Sequence, residues 1–347
     1  MPTETEGIPV VGSGGLLAPP GERRWVLPLA LYVLLRGVDA TVLKTLQIHG
    51  ANNLVDGENP ISFCNVFLMA ELVVGLAALL PGRATLGRAL AQLRPADRRL
   101  LGLDAALGLF IAPIAYYMAL QSLSVISQTL LFALVLPASA LLAWALLRER
   151  LPRGFWVSLT LIAAGLVIAQ LGMAPLDTRM DQLAGVGWAL LGVAAYSGAA
   201  VSGRRIASRG WPLAVTVGVP SIAMALVFGL LALVLFGPQH FQLLQLWWVV
   251  GVILIYALCL SLGSELSLRR AYRHCDVATV SLWGSLSIPV AAVSAALLLG
   301  EPIGWAGGAG LLLLMTGASW SHWARPIQSG TSAVFPPCRS DPPSPCP

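Results

Sequence analysis

The sequence predicts an all-α integral membrane protein: ten transmembrane helices arranged as two inverted five-helix repeats, with N- and C-termini cytoplasmic. Three observations predict it. The chain has 347 residues, of which 57% are hydrophobic and 11% charged, against about 25% charged in an ordinary soluble domain, so it lacks the polar surface that a water-soluble globule needs. That charge sits in short clusters between long apolar runs, the pattern of a polytopic membrane protein. Finally, residues 127 to 165 recur 152 positions later, without a gap, at 279 to 317. Leu and Ala matches mean little in so apolar a chain; the rarer Pro137/Pro289, Glu149/Glu301 and Gly165/Gly317 share the one offset and carry the repeat.

Taken in order, residues 1–22 are rich in Gly, Pro and Thr and lack apolar periodicity, so they are expected to form a disordered arm. The run at about 25–47 follows Arg23 and Arg24, but it is too long for a signal peptide and contains Arg36, Asp39 and Lys44. It reads as an uncleaved span. Further runs at about 61–80, 99–118, 124–147, 154–172, 183–203, 212–236, 247–268, 276–299 and 303–322 each approach the roughly 20 residues that cross a bilayer as helix. Between the second and third, LGRALAQL in the basic stretch from Gly82 to Arg98 is expected to lie as a short amphipathic helix on the membrane surface. The two repeats are then residues 23–172 and 173–323, and residues 324–347 form a Pro-rich tail expected to be disordered.

Lys and Arg set the orientation. With the N-terminus in the cytoplasm, eighteen of the 21 basic residues fall in inside segments and only Arg179 in an outside one, while Arg36 and Lys44 lie within the first span. So strong a bias supports ten spans. Five helices per half is an odd number, which requires the second half to be inverted, and the loops agree. RERLPR after the first copy is basic, whereas its equivalent GEPIGW is not; RRAYRHC before the second copy is basic, whereas YMALQSL is not. An inverted repeat of this kind is an architecture of secondary transporters, with the substrate site near the midplane between the halves.

The order of spans, the Pro-to-Glu ending of the fourth and ninth, and the Gly of the fifth and tenth resemble the drug/metabolite transporter superfamily, nearest its EamA-like members, over about residues 25 to 322. The resemblance implies a carrier in the bacterial inner membrane that alternates between inward-open and outward-open states, with export of a small amino-acid-like compound or organic anion expected. A sugar-phosphate or nucleotide-sugar antiporter shares that fold. Those relatives usually carry basic residues in the ninth span, and VATVSLWGSLSIPVAAVSAALLL has none.

Charged side chains inside a span are costly and mark function by default. Arg36, Asp39, Lys44 and Glu71 are expected to face one cavity. In a transport reading Arg36 or Lys44 receives a carboxylate or phosphate, and Glu71 neutralises the cation or carries a coupling proton; in a purely structural one Arg36 pairs with Glu71 or Asp39. Tyr116, Tyr117, Gln128, Tyr196, Trp283 and Ser285 are polar or aromatic groups placed to line the cavity. Pro137 and Pro289 should kink their helices by removing a backbone bond. Glu149 and Glu301 read as structural, each capping the helix that follows; Gly165 and Gly317 read as hinge or structural positions, and the small residues at 192–203 and 305–319 as packing surfaces. Asp104 and Glu265 read as interfacial charges, or, for Glu265, as the partner of Arg269 at i+4.

Other classes are disfavoured. Cys64, Cys259, Cys275, Cys338 and Cys346 form no C-x-x-C pair, so neither a disulfide framework nor a metal site is expected. A membrane-embedded enzyme would need a His or Lys beside its nucleophile, and His49, His240, His274 and His322 fall at span ends or in loops. The expected partners are a small-molecule substrate, membrane lipids and a coupling proton, with no cofactor and no nucleic acid; a homodimer is left open.

Overall fold

The structure, a computed structural model, describes residues 23–55, 57–148, 154–171, 179–207, 209–274 and 284–323. These are helical throughout apart from their connections and one isolated bridge, Val55 to Glu58. The helices are α1 (Arg23–Asn52), α2 (Phe63–Ala91), α3 (Pro95–Ser122), α4 (Val125–Leu146), α5 (Phe155–Leu171), α6 (Arg179–Ala207), α7 (Ala214–Phe236), α8 (Trp247–Leu268), α9 (Ser287–Leu299) and α10 (Trp305–Trp323). Seven of them, α1 to α4 and α6 to α8, are long and apolar enough to cross a membrane. Leu27, Leu226, Val234, Leu297 and Leu312 are exposed on their outer faces. Such side chains suit lipid and not water, and helices suit it too because they satisfy their backbone internally. The N-terminal arm, the C-terminal tail, Glu149 and Trp283 lie outside the described residues.

LGRALAQL is not a separate surface helix. Leu86 and Leu90 continue α2 by two more turns, because their apolar face packs against Leu93, Leu101, Ile206 and Trp211. A new helix starts only at Pro95, where the Arg94 backbone N–H donates to the Asp97 carboxylate at 3.3 Å. Proline is well suited to such a first turn.

Local features recur at the sequence offset. Helix α4 breaks at Ala133–Leu134 and resumes at Val135; before α9 the same break falls at Leu286. Leu134 has φ −62° and ψ −17°, and Leu286, 152 positions on, has φ −68° and ψ −13°. Each break lies three residues before a proline, Pro137 or Pro289, as expected when the ring removes a donor and crowds the preceding turn. The ends match as well. Arg148 turns left-handed at φ 54°, ψ 29°, and Gly300 at φ 66°, ψ 21°. Helices α3 and α8 each contain a π-helical stretch, Ala106–Ile111 and Tyr256–Leu262.

Packing repeats in the same manner. Helix α5 packs on α10 and α2 on α7, while α3 on α6 is matched by α8 on α1, and α4 on α6 by α9 on α1. At the α5–α10 crossing a Cβ on Gly165 would meet Gly310 O, Leu313 Cβ and Leu314 N at 2.7–3.1 Å, and one on Gly317 would meet Ser158 O, Leu161 Cβ and Ile162 Cγ1 at 2.9–3.1 Å. The two sets of neighbours are themselves equivalent at the offset of 152. At the α2–α7 crossing Gly75 meets Ile222 while Gly218 meets Leu79, both pairs related by 143 residues.

Candidate functional site

Five helices, α1, α3, α4, α6 and α8, converge on Arg36. Its Nη1 donates to Asp39 Oδ2 at 3.3 Å, one turn along α1. The guanidinium lies over two tyrosine rings, 5.9 Å from the centroid of Tyr116 on α3 and 5.7 Å from that of Tyr196 on α6. Phe132 of α4 holds both rings in place edge-on, at 5.0 Å and 6.0 Å. Tyr256, at the start of the α8 π-helix, stands beside the Asp39 carboxylate. Gln128, fully buried on α4, donates from Nε2 to Tyr116 O at 3.0 Å and leaves Oε1 without a partner among the described residues.

The chemistry follows from the donor set. An Arg in the middle of a span costs a few kcal/mol, which the Asp39 charge and the two ring faces offset. One N–H direction of the guanidinium is used by Asp39, and among the described residues no other group accepts from it. Its side chain keeps 38% of its surface accessible, against 10% for Asp39. A planar fork with donors to spare matches a carboxylate or phosphate bidentately.

Glu71 is not brought to Arg36. It points from α2 toward α7 and α8, beside Ser221 and within electrostatic reach of Glu265. Its Oε2 and the Ser221 Oγ are buried with no hydrogen-bond partner among the described residues. Glu265 acts on Tyr32 as well as on Glu71, and Tyr32 in turn on Arg36. Asp104 accepts from Ser202 Oγ, which ties α3 to α6.

Lys44 also leaves the group. Its Nζ donates to Leu120 O and Leu123 O, the last carbonyls of α3. Helical spacing put Lys44 on the same side as Arg36, but eight residues add roughly 12 Å of rise, which carries it to the helix end. On the other side of the same corner Glu301 accepts from Val125 N at 2.8 Å and Ile126 N at 3.1 Å, and Ser124 Oγ accepts from Ser127 N at 3.1 Å. Glu301 therefore caps α4, in the other half of the chain, and not the helix that follows it. A cation on a helix C-terminus and a carboxylate on a helix N-terminus both oppose the local dipole. Glu301→Gln should lower stability by about 2 kcal/mol, the worth of charge-assisted hydrogen bonds. Thermal unfolding in detergent checks this, and an unchanged midpoint would make Glu301 an idle rim charge.

Sequence reasoning missed Phe132, Tyr32, Tyr256 and Ser221. Tyr32 was within reach, since it precedes Arg36 by four residues and so shares its face. Nothing local marks the other three.

Seven helices long and apolar enough to cross a membrane, packed around an ionic and aromatic cluster, define an integral membrane protein. Residues 53–170 match the model of the EamA-like transporter family, part of the drug/metabolite transporter superfamily. A solved structure described only as "Crystal structure of protein" aligns over 87% of this chain and 98% of its own, at 17% identity and a TM-score of 0.53. At that identity the likeness is one of fold. No curated protein matches the chain.

Proposed function

We propose that the protein is a secondary carrier that moves a small amino-acid-like or organic-anion metabolite across the cytoplasmic membrane by alternating access, with export as its direction. The observation that carries this is Arg36, held mid-helix between Tyr116 and Tyr196 where helices of both halves meet, with donors left for a carboxylate. Gln128 and Tyr256 complete the wall of the site. The ten-span topology, with both termini cytoplasmic and halves at 23–172 and 173–323, is supported by the arginine pattern and by the paired helix contacts. The breaks before Pro137 and Pro289 are the proposed hinges.

A thermal-shift screen of amino acids and organic acids on the purified protein, followed by counterflow in proteoliposomes with each stabilising compound, tests the reading. Stabilisation without counterflow by any compound would reject a carrier. A phosphate-bearing substrate, as in the antiporters of this fold, is the weaker reading, since a single arginine supplies the positive charge of the cage.

Glu71 is assigned the coupling proton. It is a carboxyl with an oxygen that no donor satisfies among the described residues, and Glu265 lies within electrostatic reach of both Glu71 and Tyr32. Glu71→Gln keeps the shape and cannot exchange a proton, so uptake should lose its dependence on pH while ligand-induced stabilisation survives. PH-dependent uptake that persists in the variant would remove Glu71 from the coupling step.

A further inference from the structure

A chain of three side chains, two of them buried, joins the two proposed halves at the end of the bundle whose described connections carry no Lys or Arg. His240, in the 3-10 turn Pro238–Gln245 between α7 and α8, lies 2.8 Å by Nε2 from Ser62 Oγ and 2.6 Å by Nδ1 from Glu58 Oε2. The imidazole is 1% exposed and stacks on Phe236 at 4.3 Å. Ser62 and Glu58 belong to the connection between α1 and α2, and Ser62 is the N-cap of α2. Its Oγ already accepts from Asn65 N at 3.2 Å, so its hydroxyl proton is free to be donated to Nε2. The proton on Nδ1 then goes to Glu58.

The arrangement is that of a nucleophile, base and carboxylate, but the surroundings deny it that chemistry. Ser62 is 8% exposed and its oxygen is engaged by the helix amide, which leaves a substrate carbonyl little access. The chain is instead a fastening. It ties a connection of the first half to one of the second, and Glu58, 38% exposed, offers water a place to start undoing it. Neighbouring bonds reinforce the same end: Tyr117 Oη donates to Ile61 O at 2.7 Å, Gln47 Nε2 donates to Tyr117 O at 2.9 Å, and the Lys44 and Glu301 contacts hold the corner between α3 and α4.

We propose that the Ser62–His240–Glu58 chain is a latch that keeps the outer face of the carrier shut and must part whenever the Arg36 site opens to that side. This rests on the alternating-access reading. Cys64, buried two residues beyond Ser62, is a native reporter once Cys259, Cys275, Cys338 and Cys346 are replaced by Ala. In intact cells, a membrane-impermeant maleimide should label Cys64 slowly in that background. His240→Ala should raise the rate about tenfold, the worth of a charge-assisted hydrogen bond. Glu58→Gln, which keeps an acceptor in place and removes only the charge, should raise it by less, and it is the variant to read if loss of His240 unfolds the protein. Faster labelling in Glu301→Gln with none in the His240 or Glu58 variants would overturn the latch alone. Labelling flat in all three would overturn the alternating-access reading with it. Covalent capture of Ser62 by a fluorophosphonate would overturn the latch in favour of a serine nucleophile.

Discussion

Arg36→Ala reduces counterflow of the carried compound by at least about a hundredfold, and Arg36→Lys recovers little of it. The size follows from two losses. A bidentate, charge-assisted contact to the substrate contributes on the order of 2–3 kcal/mol, and Lys, a point charge without a fork, does not restore its geometry. Removing the guanidinium also strands Asp39, 7% exposed, as an unpaired charge, which costs about 3–5 kcal/mol. That second loss would appear even if Arg36 served only to neutralise Asp39. The double variant Arg36→Leu/Asp39→Leu separates the two, because replacing both members of a buried pair with apolar groups is often neutral for stability. Its unfolding midpoint should return to near that of the wild type while counterflow stays lost. Recovered counterflow in the double variant would show that the pair is architectural and that the substrate binds elsewhere.

The cage also shows what a sequence can disclose about such a site. Arg36, Asp39 and Glu71 stand out because a charge inside an apolar run is costly wherever it ends up. Their partners do not stand out. Phe132 and Tyr256 are ordinary residues in apolar helices, and only the packing of α4 and α8 against α1, α3 and α6 turns their rings toward Arg36 and Asp39. Lys44 looked like a member because helical periodicity reports an angle about the axis and not which neighbour a long side chain reaches. Glu301 was legible as structural from its place at a helix end, but its target was not, since Val125 precedes it by 176 residues. The His240 chain had no signature at all. Its three members come from two connections far apart in sequence, and each of them alone is a common loop residue. By contrast the breaks before Pro137 and Pro289 were readable, because proline acts on its own preceding turn.

Gly165→Leu and Gly317→Leu should each destabilise the bundle by about 3 kcal/mol, at the upper end of overpacking costs. Where no hydrophobic force draws helices together, as in lipid, close backbone approach holds them, and α5 and α10 make such an approach. At Gly165 a Cβ would lie 2.7 Å from the Gly310 carbonyl oxygen, and at Gly317 it would lie 3.0 Å from that of Ser158. Backbone oxygens cannot swing aside as a side chain does, so the helices must separate. Separation also strains the bond from Ser158 Oγ to Gly317 O. Because the neighbours of the two glycines correspond residue by residue, the two losses should be alike. The double variant should cost less than their sum, since helices already forced apart by one side chain have room for the other. Gly308 provides the control on the same helix, where a Cβ would meet nothing within 4 Å. Gly308→Ala should be neutral or stabilising by a few tenths of a kcal/mol, because alanine loses less backbone freedom in a helix. Thermal unfolding of the four variants in one detergent decides the matter. If Gly165→Leu melts with the Gly308 control, α5 and α10 do not cross at contact distance, and the residue-by-residue match at the offset would have no consequence for stability.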